Sequence, residues 1–300
     1  MIAETRQALG PRWQQIVEAV EDLPVLPTVA TRVLTVANDP DSSMEDVCEV
    51  IRVDASLTAR VLRIVNSSYY GFSREIGTVT QAAVILGTNE LVGLALGSTA
   101  LRALKERGKE HALESALWSH AAFCGVAARV VAAEIRYRLT GLAFVAGLLH
   151  DAGKLILLDL CADEFPEATV HGTDPLASVS IDTEQELFGA DHAQIGAAIT
   201  RKWDLPSEIT EAVAAHHRPE RAPDSCTQLT DTVNVANHLA WRVAGRGDLA
   251  DESRVSETTM IRLQGQRPDF DETFLMKLSS DLERELEHSE RLMALLGEGS

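Results

Sequence analysis

Along most of this chain apolar residues recur at spacings of three and four, while runs of alternating β-branched residues are scarce. That period matches the turn of an α-helix and not the two-residue repeat of a strand, so the expected fold class is all-α. With 300 residues, 45% of them hydrophobic, the chain is long enough to bury a real core in one or two domains, which excludes disorder as a description of the whole.

The stripes divide the chain. Trp13, Ile16, Val17 and Val20 form the first, which stops at Leu23-Pro24-Val25-Leu26-Pro27, where two prolines remove backbone donors and bias their predecessors to extended geometry. Val29, Val33 and Val36 open a second helix. Ser42-Ser43-Met44-Glu45 sets a hydroxyl three residues before a carboxylate, the spacing of a capping box, ahead of Val47, Val50 and Ile51. Leu57, Val61, Leu62 and Val65 continue the pattern until Asn66-Ser67-Ser68-Tyr69-Tyr70-Gly71-Phe72 breaks it. Thr78 and Gln81 form another capping box before Ala83, Val84 and Leu86, and the stripe resumes at Leu91, Leu94 and Ala95. The charged, glycine-interrupted stretch Lys105-Glu106-Arg107-Gly108-Lys109-Glu110 marks a lobe boundary.

The expected organisation is therefore an N-terminal helix over 1–22, a helical lobe over 23–108, a second helical lobe over 109–244, and a polar loop with a C-terminal amphipathic helix over 245–300. Residues 118–135, 142–158 and 183–203 each read as one helix, the last opening on a Thr183-x-x-Glu186 box, and Pro206 starts the next. The lobes are expected to pack through faces such as Val29, Val33, Leu57 and Val61. Residues 245–269 lose their period and read as a loop, and Phe274, Leu278, Leu282 and Leu286 mark a helix suited to docking on the body or on a partner.

With 45 acidic against 27 basic residues the formal charge is -18, which repels a polyanion and argues against general nucleic-acid binding. The uninterrupted apolar run beside the candidate site, 141–149, falls far short of the roughly 20 residues of a membrane span. The opening MIAETRQALGPRWQQ lacks the basic start and apolar stretch of a secretion signal. These features predict a cytoplasmic protein without a membrane partner. Cys48, Cys124, Cys161 and Cys226 lack CxxC spacing and read as buried, reduced thiols.

Seven of the nine histidines lie between residues 120 and 238. His150-Asp151 follows the apolar stretch Ala143-Phe144-Val145-Ala146-Gly147-Leu148-Leu149, and burying such a pair costs several kcal/mol unless it is partnered or metal-bound. His120 precedes it, and Asp191-His192 and His216-His217 follow. Imidazole and carboxylate suit iron, manganese, zinc or nickel, so a divalent transition ion is the expected cofactor, with His120, His150, Asp151, His192, His216 and His217 as its candidate ligands. His111, His171, His238 and His288 join no motif and read as packing or capping residues. Lys154 reads as a solvated helix-end lysine or as a contact for a phosphate at the mouth of the site. Tyr69, Tyr70 and Phe72 read as packing between the lobes.

His120 with His150-Asp151 resembles the HD superfamily of metal-dependent phosphohydrolases. A longer set, Leu23-Pro24-Val25-Leu26-Pro27, Asn38-Asp39-Pro40, Asp54-Ala55-Ser56-Leu57-Thr58, Asn66-Ser67-Ser68-Tyr69-Tyr70-Gly71 and Ala82-Ala83-Val84-Ile85-Leu86-Gly87, resembles the HDOD family, the HD-related output domain of bacterial signalling, from about Leu23 to about Ala240. The resemblance implies a two-lobed helical bundle whose C-terminal lobe is HD-like, and a regulatory module that binds a signalling partner or small regulator without required turnover. Beside the related HD-GYP phosphodiesterases, His120, His150, Asp151, His192, His216 and His217 match metal-binding positions. The last metal-binding aspartate is replaced by Asn237, and the Gly-Tyr-Pro signature is absent where His216-His217 runs into Arg218-Pro219. That comparison implies a complete site on Asp151, His192, His216 and His217 and a weakened one on His120, His150 and Asp151. A phosphohydrolase or cyclic-dinucleotide phosphodiesterase, or an iron-dependent oxidase, is the enzymatic alternative.

Overall fold

Caps and stripes together determine where the helices begin. In the computed structural model, which describes residues 11–67, 69–107, 114–161, 179–244 and 254–283, every regular element is helical. The first, α1 (Pro11–Asp22), buries Ile16 and Val20. After α2 (Thr28–Asn38), the capping box of α3 (Met44–Val53) is Ser43 with Asp46, one residue later than the expected Ser42 and Glu45. Ser43 has the extended backbone of an N-cap, and its N–H donates to the Asp46 carboxylate at 2.7 Å. The Asp54 carboxylate caps α4 (Ala55–Val65) by accepting from Leu57 N–H at 2.9 Å. Asn66 then ties the chain back: its amide donates to the Leu62 and Ile76 carbonyls and its oxygen accepts from Ile76 N–H. Thr78 caps α5 (Val79–Leu86) as expected, although the Gln81 side chain reaches Gly77 N–H instead of closing the box on Thr78.

Helices α2, α4 and α5 pack on α6 (Thr88–Lys105), which is buried along nearly its whole length. The joint with the second lobe falls on α6 itself, against α8 (Thr140–Leu149), and not on the Val29, Val33, Leu57 and Val61 faces expected to make it. The two backbones touch there. A Cβ added to Gly141 would lie 1.9 Å from the Asn89 carbonyl oxygen, and one on Gly93 would lie 2.8 Å from the Gly141 Cα, so only glycine permits this crossing. Above the crossing, Glu90 of α6 accepts from Tyr70 Oη at 2.8 Å and from Arg129 of α7 (Glu114–Glu134), and Tyr69 and Tyr70 pack on the core as expected. Phe72 stacks on Tyr70 with its outer face exposed.

Helix α8 is followed by α9 (Ala152–Cys161), so the single helix expected over 142–158 is broken at His150-Asp151. The helix expected over 183–203 is likewise two, α10 (Ile181–Phe188) and α11 (His192–Lys202), parted at Gly189 with φ +80°. Their caps are Ser180, and Asp191 paired with Gln194, in place of Thr183 and Glu186. Then come α12 (Ser207–Ala215), two short 3₁₀ turns and α13 (Thr227–Val243). The segment expected to be a loop contains α14 (Glu257–Gln266), whose Ser256 cap and buried Thr259 and Leu263 give it a start and an inner face. The last helix, α15 (Glu272–Glu283), buries Phe274, Leu275, Leu278 and Leu282 and docks on α13; Leu286 lies outside the described residues.

Two stretches, Ala116–Glu134 and Thr140–Leu160, are long and apolar enough by length and composition alone to cross a membrane, contrary to the sequence reading. In the structure they are core: the second is wholly buried, although it carries His150, Asp151 and Lys154. Cys48, Cys124 and Cys226 are buried free thiols, as expected. The side chain of Cys161 and the residues His111, His171 and His288 lie outside the described residues, and His238 is buried on α13 and belongs to neither metal-type cluster.

Candidate metal centre

The break between α8 and α9 creates the site. His150 ends α8 in helical geometry, Asp151 occupies the turn, and Lys154 N–H closes it by donating to the Asp151 carbonyl at 2.9 Å. Gly153, in the first turn of α9, lets α11 approach: a Cβ there would lie 2.1 Å from the His192 carbonyl oxygen. This contact puts the N-terminus of α11, which begins with His192, against Asp151. His120 projects from α7, and His216-His217 follow the end of α12.

The structure brings all six sequence-identified residues together in two groups that share Asp151: Asp151 with His192, His216 and His217, and Asp151 with His120 and His150, the facing atoms of each group lying within 4.8 Å of one another. In the first group Asp151 Oδ1 lies 3.1 Å from His192 Nε2 and 3.8 Å from His216 Nε2, and His192 Nε2 lies 3.1 Å from His217 Nε2. In the second, Asp151 Oδ2 lies 3.4 Å from His150 Nε2 and 3.8 Å from His120 Nε2.

The outer faces of the rings decide which atoms point inward. His150 Nδ1 lies 2.7 Å from the Gly147 carbonyl oxygen and His216 Nδ1 2.8 Å from that of Val213, so each Nδ1–H donates outward. His192 Nδ1 lies 2.7 Å from Glu184 Oε2, which also accepts from His192 N–H. Neutral rings held this way turn their Nε2 lone pairs inward. With the rings neutral, the inner surface is lined by acceptors facing acceptors. Among the described residues, His150 Nε2 and Asp151 Oδ1 are buried with no hydrogen-bond partner at all. Such an arrangement is costly unless a cation lies among these atoms.

The electrostatics point the same way. Burial opposes the Asp151 charge, but His150, Lys154 and His192 hold its pKa well below the ordinary carboxylate value. Burial also opposes a cation on His192, yet Glu184 and Asp151 push its pKa up to about 9, so these carboxylates call for positive charge on or beside that ring. His216 and His217 are held neutral by burial and by their histidine neighbours, and burial with His150 brings His120 down to about 3. Asp151 likewise pushes the His150 pKa well up against its burial, so a metal ion held on the cluster would take the place of the protons that His150 and His192 favour.

Lys154 is not a solvated helix-end lysine. It is buried, and its Nζ donates to Asp151 Oδ2 at 2.8 Å. Asn237 of α13 lies against the second group, its Oδ1 3.0 Å from His120 Nε2, and Trp241 packs on the His120 ring. Sequence reasoning missed Glu184, which is completely buried and orients His192. No motif marks it, because its partner lies eight residues away across the Gly189 turn. It also missed Asn234, whose amide donates to the His216 carbonyl at 2.8 Å.

A family model for the HDOD domain matches residues 23–219. The chain belongs to the HDOD domain family. The match covers the first lobe and the second as far as two residues past the double histidine, leaving Asn237 and α13 to α15 beyond it. An uncharacterized protein of Treponema pallidum is 28% identical over 228 residues, which span 74% of this HDOD chain and 43% of that protein. This chain spans less than half the length of the curated relatives it matches. Among solved structures, a candidate signal transduction protein from Marinobacter aquaeolei aligns with a TM-score of 0.72 at 21% identity, over 95% of this chain and 65% of that one. A candidate phosphohydrolase from Shewanella amazonensis aligns with a TM-score of 0.66 at 24% identity, over 94% and 98%. At these identities the likeness is one of fold.

Proposed function

We propose that this HDOD chain is a signalling output module that holds one divalent transition-metal ion on Asp151, His192, His216 and His217 and responds to a partner protein or small regulator, with no turnover required. The observation that carries the reading is the convergence of Asp151 Oδ1 with the Nε2 atoms of His192, His216 and His217, all within 4.8 Å and in a buried setting. Iron, manganese, zinc and nickel all suit that donor set. A bound ion would supply positive charge and Lewis acidity at this point. The chain does the rest: Glu184 and the Val213 carbonyl keep the outer nitrogens of His192 and His216 as donors, which holds their inner nitrogens ready as ligands.

The second group is served differently. Lys154 places an ammonium on Asp151 Oδ2, and Asn237 offers His120 a neutral amide oxygen where the HD-GYP pattern has a carboxylate. A second ion would have to displace the lysine and would find less anionic charge than the first. A hydrolase that relies on paired ions is disfavoured on this ground, although Lys154, buried within the cluster, is the feature that favours a phosphate-directed chemistry. The acidic balance of the chain supports a protein or small-molecule partner over a nucleic acid.

The test is metal content after chelator treatment and reconstitution, joined to a screen for hydrolysis of nucleotides and cyclic dinucleotides. Wild type is expected to retain about one ion per chain, with His192→Ala and Asp151→Ala losing it. Equal metal content in all three proteins would reduce the cluster to a polar network. Turnover above roughly 1 per second, within the ordinary enzyme range, that vanishes in Asp151→Ala would replace the output reading with a phosphohydrolase.

A further inference from the structure

The His216-His217 pair is gripped from outside the family match. Asn234 of α13, buried at 3% exposure, bridges two elements: its Nδ2 donates to the His216 carbonyl at 2.8 Å, and its Oδ1 accepts from Ser256 N–H, at the start of α14, at 3.0 Å. One turn into α14, Thr259 Oγ1 donates to the buried Asp231 Oδ1 at 2.7 Å. Arg262 Nη1 lies 3.2 Å from the same oxygen and donates to the Pro219 carbonyl at 3.1 Å. The short segment from His216 to Pro219 is thus held at both ends by contacts that depend on α14, directly through Arg262 and through Asn234. Every side chain in that relay is polar, and α14 meets α13 over a small face with Leu263 as its fully buried aliphatic residue.

We propose that α14 is the element through which the state of the metal centre leaves the site: docking of α14 and occupancy of the Asp151, His192, His216 and His217 cluster are coupled, with Asn234 and Arg262 as positioning residues. The inference rests on the metal reading above. The His216 imidazole, anchored through Nδ1 to the Val213 carbonyl, and the carbonyl held by Asn234 belong to one residue directly after α12, so fixing the ring on an ion and fixing the carbonyl on Asn234 restrain the same short segment. A bridge that holds two partners favours the conformation in which both are in place. Coupling of this kind is reciprocal, because whatever α14 adds to metal affinity the metal must add to α14 docking. The inner face of α14 carries the buried Thr259 and Leu263, so release of the helix would present them to a partner beside the already exposed Ile261.

The experiment uses the full chain and Co²⁺ as the probe ion, titrated by its visible absorption, with amide hydrogen exchange read over 257–266. Exchange reports local opening and so measures docking of α14 directly. In wild type, saturating Co²⁺ is expected to slow exchange in that segment by about fivefold or more, a typical coupling, and to leave α2 and α3 unchanged. Arg262→Met, at a side chain partly open to solvent, is expected to weaken Co²⁺ binding by the same factor while its metal-free melting stays cooperative. Asn234→Asp, which keeps the acceptor for Ser256 but loses the donor to His216, should bind Co²⁺ more weakly and lose the metal-induced protection of 257–266. His192→Ala should show no response of 257–266 to Co²⁺. Unchanged exchange in wild type at saturating Co²⁺, or Co²⁺ affinity equal to that of wild type in both Arg262→Met and Asn234→Asp, would overturn the coupling and leave the metal site standing. Failure of wild type to bind Co²⁺ at all would overturn both readings, and the first titration would show it.

Discussion

Asp151 is shared by two sets of neighbours that make opposite demands on it. Oδ1 faces lone pairs and lacks a hydrogen bond among the described residues, whereas Oδ2 already accepts from the Lys154 ammonium. One carboxylate therefore presents a vacant acceptor to one side and a satisfied one to the other, and the asymmetry predicts metal stoichiometry. Wild type should hold one ion. Lys154→Met combined with Asn237→Asp removes the competing cation and adds a carboxylate beside His120, and should raise the content toward two, as measured by elemental analysis; a double variant that stays at one ion would show that the second group is closed for some other reason. Glu184 is the complementary case. Its Oε2 accepts from both the backbone and the ring of His192, so Glu184→Gln, which loses the charge but keeps the shape, should weaken metal binding by about 10- to 100-fold, the range usual for such outer partners. An unchanged affinity in that variant would mean that Gly153 and the start of α11 alone suffice to orient His192.

The helices themselves show why some of this was legible in the sequence and some was not. Stripes such as Val47, Val50 and Ile51 or Phe274, Leu278 and Leu282 announced their buried faces, because a three-and-four spacing has one structural meaning over that length. The ligand candidates were legible for a different reason: His150-Asp151, beside the apolar 143–149 run, needed a partner, and His120, His192, His216 and His217 stood out through the resemblance to HD-type metal sites. The two helix breaks were hidden, since apolar periodicity runs through His150-Asp151 and nearly through Gly189, and what ends each helix is a turn that only tertiary contacts select. Helix α14 was hidden because just Thr259 and Leu263 of its ten residues are buried, too few to raise a stripe. Gly153 is the clearest such case, an unremarked glycine on which the approach of α11 to α9 depends. In Gly153→Ala the new methyl would meet backbone on both sides, His192 O at 2.1 Å and Gly196 N at 2.9 Å, and neither can rotate away. The loss should reach or exceed the upper end of the 1–3 kcal/mol usual for overpacking. Urea unfolding should show it together with loss of metal binding. Full stability with intact metal content would show that α11 can slide.

Taken across the chain, the two lobes and α1 are held together by the α6–α8 crossing and by buried polar ties. Helix α1 packs on α9 and α11 of the second lobe, and Trp203 Nε1 donates to the Pro24 carbonyl at 2.9 Å just beyond it. Arg107, read from sequence as part of a charged lobe boundary, has its side chain buried between the Glu114 and Asp159 carboxylates, so Arg107→Met leaves two buried acids without their cation and should cost about 3–5 kcal/mol. The proposed metal site would add a further tie, since its four ligands come from the α8–α9 turn, the start of α11 and the end of α12. An ion that binds only when these elements are assembled stabilises the folded chain by mass action, by about 2.7 kcal/mol at a free concentration 100 times Kd. For a chain of this size that corresponds to a rise of several degrees in Tm. Thermal melts of chelator-treated protein with and without added Zn²⁺ should show this rise in wild type and lose it in His192→Ala. The melt of Asp151→Ala carries the argument furthest, because removing the shared carboxylate deletes a ligand and also leaves the buried Lys154 ammonium without its anion. Its metal-free Tm should fall, and its response to Zn²⁺ should vanish. A Zn²⁺-dependent rise in Asp151→Ala as large as in wild type would place the ion elsewhere and end the assignment of these four ligands.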